Sequence, residues 1–305
     1  MAQQEQMTLM QFQEKFQTEE ACRKHLFEIR WPNGFACPKC GNSEYYNLPN
    51  RNQYQCKACK HQTSATAGTV LHKTHTPLQK WFWAIYLASH DKRGVSAHHL
   101  MKELELTYPT AWLMLHKIRE SMGQRDASYQ LAGIVELDDA YFGAPTEGGK
   151  RGRGTEQTQV VVGVSLNKQG HPQYIKMSVV DNIQGTTLAA FAKENIQPGS
   201  LISSDGYRSY NALAAEGYIH QPLNFDVTLN PDHLKWLHTI VSNAKAFIAG
   251  TYHGLDEKHI QSYLNEFCFR TNRRHFKGQM FNRLLSACSS AVTVTYEHLT
   301  SRLRD

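Results

Sequence analysis

The spacing of apolar positions changes character three times along the chain. Near the start, Phe12, Phe16, Leu26 and Phe27 recur at helical spacing, and Trp31-Pro32-Asn33-Gly34 ends that element. A polar stretch follows to about Thr69, with one short strand signal at Gln53-Tyr54-Gln55. Helical spacing then returns in three pieces, Pro77 to Ser89, Ser96 to Leu104 and Thr107 to Met122, each opened by a Ser or Thr cap. From Ala132 the pattern turns to β-branched runs. Ile134 to Asp138, Val160 to Leu166 and Gln173 to Val180 read as strands, with turns at Asn167-Lys168-Gln169-Gly170 and His171-Pro172. A helix over Thr186 to Asn195 leads to a fourth strand, Ser200 to Ser204, closing on Asp205-Gly206. A helix over Tyr207 to Glu216, a fifth strand near Tyr218-Ile219-His220, and helices over Asp232 to Ala249 and Asp256 to Asn272 complete the pattern.

Three consecutive strands followed by alternating strand and helix is the order of an RNase H-like α/β core, a mixed five-stranded sheet with helices. The expected domains are residues 1–75 (the N-terminal helix and the polar stretch after it), 76–125 (a small helical unit) and 126–305 (the α/β core). The three helices of the middle unit suggest a helix-turn-helix whose recognition helix begins at Thr107. Tyr108, Thr110 and Ala111 would then lie early in that helix, where base edges are touched. A trihelical linker that packs a dimer has the same periodicity.

The metal signal is in the polar stretch. Cys37-Pro-Lys-Cys40 and Cys56-Lys-Ala-Cys59 are two C-x-x-C knuckles at the separation of a tetrahedral structural zinc site, with Gly41 at the tight turn after the first. Cys22, Cys268 and Cys288 lack such partners and read as small buried apolar residues. Thiolate ligands favour a reducing, cytoplasmic setting. The longest apolar run, Trp81 to Ala88, is too short to span a bilayer. The net charge of +6 permits a polyanionic partner without demanding one. One local excess stands out: the Gly and basic loop from Glu147 to Gly154 offers Lys150, Arg151 and Arg153 to phosphates.

Two aspartates stand at predicted strand ends, Asp138 on the first and Asp205 on the fourth. Strand ends of this kind can lie side by side, and converging carboxylates repel unless a divalent cation sits between them. A third ligand should come from the helix after the last strand, yet Leu234 to Lys245 contains no acid. Its candidates are His238 and Asn243. Imidazole is the better ligand, which favours His238. Lys245, seven residues on, shares a face with His238 about 10 Å along the axis and would reach DNA phosphates.

These features in order carry a resemblance: the ribbon, Thr110-Ala111-Trp112, Val135-Glu136-Leu137-Asp138-Asp139-Ala140-Tyr141-Phe142-Gly143, Ser204-Asp205-Gly206-Tyr207, Gly250-Thr251-Tyr252-His253, and Tyr263 to Arg274. The chain resembles the zinc-ribbon group of prokaryotic insertion-sequence transposases with a DDE catalytic domain, from about Phe27 to Arg274. The resemblance implies Asp138 and Asp205 as the first two catalytic acids, Lys245 as the helix lysine, and His238 where the family commonly has Glu or Asn. Asp139 stands where the family usually has Glu. The histidine makes either a DDH variant or a copy that has lost its third ligand.

The activity implied is metal-dependent strand cleavage and strand transfer at terminal inverted repeats. It calls for structural Zn²⁺, catalytic Mg²⁺ or Mn²⁺, double-stranded DNA ends and target, a homodimer or larger assembly on DNA, and a nucleoid-associated location in the cytoplasm. Arg270, Arg273, Arg274, Lys277 and Arg283 form an acid-free basic run, and beside such a site they are expected on backbone phosphates. A non-catalytic zinc-ribbon regulator and a structure-specific RNase H-like nuclease are the alternatives.

Overall fold

Two packed units form along the chain, one from the first 125 residues together with everything from Phe276 onward, the other from Asp126 to His275. The structure is a computed structural model describing residues 7–143, 155–224, 226, 228–230 and 232–301. Lys150, Arg151 and Arg153 lie outside the described residues, as does the side chain of Lys277.

The first unit opens with α1 (Leu9–Lys15) and α2 (Glu19–Arg30). Thr8 and Gln11 cap α1 reciprocally, and Thr18 accepts from the Ala21 amide at the start of α2. The ribbon is a three-stranded antiparallel sheet of β1 (Tyr45–Leu48), β2 (Gln53–Cys56) and β3 (Gln62–Thr63). Its small core is aromatic: Phe27, Trp31, Phe35, Tyr45 and Tyr54 have successive ring centroids 4.7–5.7 Å apart.

The predicted trihelical unit is present as α3 (Leu78–His90), α4 (Ala97–Glu103) and α5 (Tyr108–Asp126). Ala111, Met114, Leu115, Ile118 and Met122 give α5 its buried stripe. One cap differs from expectation. Ser96 caps α4, but α3 begins at Pro77 with no side-chain cap of its own. Its free amides at Leu78 and Gln79 donate instead to the Glu19 carboxylate of α2, at 3.1 and 2.9 Å.

The second unit closes at His275, short of the expected domain limit at Asp305. Beyond it, α10 (Met280–Ser290) buries Phe281, Leu284, Leu285 and Cys288. The Phe281 ring sits 5.5 Å from both Phe12 and Phe16 and 5.9 Å from Phe82, so this helix completes the first unit's core. α11 (Tyr296–Ser301) follows it. Cys22, Cys268 and Cys288 are buried as expected, and burial pushes the thiols of Cys22 and Cys288 up to about 12.

The second unit is built on β4 (Ile134–Phe142), β5 (Thr158–Leu166), β6 (Pro172–Val180), β7 (Leu201–Ser204) and β8 (Ile219–Pro222), in the order β6-β5-β4-β7-β8. The first three strands pair antiparallel and the last two join parallel, which is the RNase H-like arrangement. β4 runs four residues past the predicted end, so Asp138 is mid-strand. What ends near Asp138 is the neighbouring strand β7.

α6 (Gly185–Asn195) and α7 (Ala212–Ala215) cover one face, over Val135, Leu137, Val161 and Ile202. α8 (Lys235–Thr251) and α9 (Ile260–Asn272) cover the other, over Ala140, Phe142, Val160, Val162 and Val164. Burial on both faces explains why β5 reads as a near-continuous run of valines. Among the described residues no helix is long and apolar enough to cross a membrane.

Candidate functional site

The four ribbon cysteines converge. Their sulfurs all lie within 4.8 Å of one another, with Cys37–Cys59 and Cys40–Cys56 each at 3.6 Å. A tetrahedron with metal–sulfur bonds of about 2.3 Å has sulfur–sulfur edges of about 3.8 Å, so the donor set fits zinc. The two knuckles share one backbone device. The residue after each second cysteine-bearing turn takes a left-handed conformation, at Gly41 (φ +75°) and Lys60 (φ +59°). Their amides return to the Cys37 and Cys56 carbonyls, at 2.8 and 3.1 Å. The backbone amides of Cys59 and Ala58 lower the Cys56 thiol to about 6, toward the thiolate that binds metal.

The second centre is assembled by strand register. β4 and β7 pair as Ile134↔Leu201, Val135↔Ile202 and Glu136↔Ser203. The pairing ends at Glu136↔Ser203, and the same offset continued two positions would bring Asp205, just past the end of β7, level with Asp138. Side chains on neighbouring strands in register share a face, and alternation puts Asp138 with Glu136 and Ala140 on the α8 side. Asp139 takes the other side, where it accepts from the Tyr210 hydroxyl at 3.3 Å. Asp205 turns the chain: its Oδ1 accepts from the Tyr207 amide at 3.0 Å. Ser204 Oγ donates to the Asp205 carbonyl at 2.9 Å, leaving His220 Nε2, 2.8 Å away, as the donor to Ser204. Both aspartates are half-buried.

α8 lies across this face on Leu237, Ile240 and Ala244. Successive residues advance about 100° around a helix, so His238 and Lys245 share one flank, while Trp236, Asn243 and Phe247 share the other. The neighbours identify the flanks. The Trp236 ring lies 5.6 Å from His171 at the β5–β6 turn, and Phe247 lies 5.7 Å from Phe267 of α9. The His238 flank therefore faces the β4–β7 side, where Lys245 Nζ stands 5.7 Å from the Phe142 ring. Partial desolvation, with His233 beside it, lowers the His238 imidazole below its ordinary value. Two carboxylates and a neutral imidazole make a donor set suited to hard or borderline divalent ions. Among the described residues, only the four cysteines are gathered within one ion's reach; Asp138, Asp205 and His238 are not.

The basic run at the end of the second unit is a correction. Arg273 is 7% exposed and donates to Asp126 Oδ1 at 2.6 Å, with its guanidinium 3.7 Å from the Phe269 ring. Arg270 pairs with the buried Glu266 at 2.7 Å. Arg274 donates to the carbonyls of Gln173, Thr271 and Pro172. Arg273 ties the end of α9 to Asp126 and Arg274 ties it to β6, while Arg270 pairs within α9, so all three groups are engaged inside the unit, as buried charges must be paired. At the start of α5, Thr107 and Tyr108 are exposed, Thr110 Oγ1 lies 2.9 Å from Thr107 Oγ1, and the Tyr108 ring stacks near His98.

Sequence reasoning gave no role to Glu136. It is 6% exposed, its Oε2 accepts from the Leu237 amide at 2.8 Å, and burial raises its carboxyl above the ordinary range. The signal was there: an acid at a position where the strand alternation calls for a buried side chain.

Residues 130–272 match the ISXO2-like transposase domain, and residues 17–62 match the transposase zinc-ribbon domain. The chain is 25% identical over 283 residues to an uncharacterized protein in transposable element ISH50 of Halobacterium salinarum, covering 84% of this chain and 91% of that protein. It is 27% identical over 104 residues to an uncharacterized transposase-like protein of Haemophilus influenzae, covering 33% of this chain and 84% of that one. Among solved structures, the Mos1 transposase paired-end complex with left transposon end aligns with TM-score 0.24 at 9% identity, over 66% of this chain and 76% of that one.

Proposed function

We propose that this chain, which carries an ISXO2-like transposase domain and a transposase zinc-ribbon domain, binds the terminal inverted repeats of its own element and carries out strand cleavage and strand transfer there. One observation supports this above others: β7 pairs in register with β4 as far as Glu136↔Ser203 and then ends, so that Asp205 follows a strand that stops beside Asp138, on a sheet covered by α8 with Lys245 near Phe142. Asp138, Asp205 and His238 would hold Mg²⁺ or Mn²⁺, which when bound supplies charge neutralisation and Lewis-acid polarisation of phosphoryl oxygens by a two-metal arrangement.

Water attacks phosphorus at the element end and the P–O3′ bond breaks, freeing a 3′ hydroxyl. That hydroxyl then attacks a target phosphodiester, whose own 3′ oxygen leaves. Lys245, about 10 Å along the helix from His238, neutralises the backbone phosphates next to the reacting one. The ribbon and α3–α5 recognise the ends, with Thr107, Tyr108 and Thr110 presented to the bases. Joining two ends takes two sites, hence at least a dimer on DNA.

The test is cleavage and joining of oligonucleotide ends in Mg²⁺ and Mn²⁺. Asp138→Asn and Asp205→Asn are expected to abolish both steps. His238→Ala should reduce cleavage by about 100-fold or more, with Asn243→Ala near wild type. Mn²⁺ should serve at least as well as Mg²⁺, since imidazole softens the site. Specific end binding without cleavage in either metal would favour the non-catalytic regulator, and undiminished cleavage by Asp138→Asn would remove the carboxylate site altogether.

A further inference from the structure

The segment that opens α8 is poorly suited to starting a helix. Its N-cap is Leu234, at φ +52°, with no side-chain hydrogen bond to the first turn. First-turn amides need a partner, and one is supplied from the sheet by Glu136, whose Oε2 lies 2.8 Å from the Leu237 nitrogen. A helix N-terminus attracts negative charge, so a carboxylate suits this place. Glu136 precedes Asp138 by two residues on the same face of β4, and Leu237 directly precedes His238. One buried bond thus joins the strand that carries an acid to the helical turn that carries the imidazole.

We propose that Glu136 is a positioning residue: it clamps the first turn of α8 to β4 and so sets the height at which the His238 and Lys245 flank meets the Asp138–Asp205 pair, an inference that rests on the site reading given under Proposed function. The competing role for a carboxylate two residues from Asp138 is to bind metal itself. The two roles make opposite demands. A clamp needs an acceptor oxygen at full arm length, which glutamine keeps and aspartate, one methylene shorter, loses. A ligand needs the charge, which aspartate keeps and glutamine loses.

The experiment uses the full-length, zinc-loaded chain in two readouts. Amide hydrogen exchange is followed over residues 234–240 without divalent metal, and oligonucleotide-end cleavage is measured in Mn²⁺. Glu136→Asp and Glu136→Ala are expected to speed exchange in the first turn of α8 by at least about 10-fold. Both should lower kcat by about 10- to 100-fold at unchanged DNA Kd, the range typical of partners that orient metal ligands. Glu136→Gln should stay within about 3-fold of wild type in both readouts. Glu136→Asp serves as the test should Glu136→Ala not fold. Unchanged exchange in Glu136→Asp would overturn the clamp, as would a Glu136→Gln protein with native exchange and no cleavage. If the intact chain cleaves no DNA end, the transposition chemistry falls while the exchange pattern still decides the clamp.

Discussion

His25 shows how one side chain can tie stability to pH. Its ring is enclosed by Phe16, Phe82 and Phe281, with centroids 5.1–6.5 Å away. Its Nε2 lies 3.1 Å from Asn282 Oδ1, and its Nδ1 lies 3.7 Å from Glu28. Burial lowers its pKa below 6.5, with Lys15 adding to the effect and Asn282 and Glu28 opposing it. The fold thus prefers the neutral ring. As pH falls through 6.5 the unfolded chain takes up a proton that the folded chain refuses, so stability declines until the lower folded value is reached. His25→Gln cannot titrate. The melting temperature of the wild type should therefore fall more between about pH 7.5 and 5 than that of His25→Gln. Parallel pH profiles for the two proteins would contradict this account.

Two helices take their N-terminal caps from distant glutamates, α3 from Glu19 and α8 from Glu136. A cap supplied from another element does double duty, satisfying orphan amides and fixing the helix against its neighbour. Glu19→Ala should cost about 1 kcal/mol, the usual value of a lost cap. In a unit of this size that lowers Tm by roughly 2–4 °C. Glu19→Gln, which keeps one acceptor, should recover part of the loss, and calorimetry of the three proteins checks it. Such caps are hard to read from sequence. Ser96 and Thr18 are legible because the acceptor lies three residues from the donor, whereas 59 residues separate Glu19 from Leu78 and 101 separate Glu136 from Leu237. The basic run shows the same limit in reverse. Arg273 reads as a phosphate contact in the sequence because its partner Asp126 lies 147 residues away and meets it only once α9 is packed.

At the scale of the molecule, each unit has its own core and its own closing element. The four-cysteine site lies in the first unit. Structural zinc binding is folding energy for the part that holds it. Stripping zinc with a strong chelator should therefore lower and broaden the first unit's thermal transition and leave the second's in place. Calorimetry with and without chelator reads this directly, and equal shifts of the whole profile would refute it.

Local chemistry was enough to specify the zinc knuckles, the three helices after Thr76 and the order of the five strands along the chain. Each depends on spacing within a few residues, where backbone geometry alone decides which side chains can meet. Tertiary structure decided the rest: that β7 stops beside Asp138, that α10 completes the first unit, and that Glu136 accepts from the first turn of α8. Those outcomes follow from which faces bury against each other. Packing selects such pairings among residues far apart in the chain, and no local period records them.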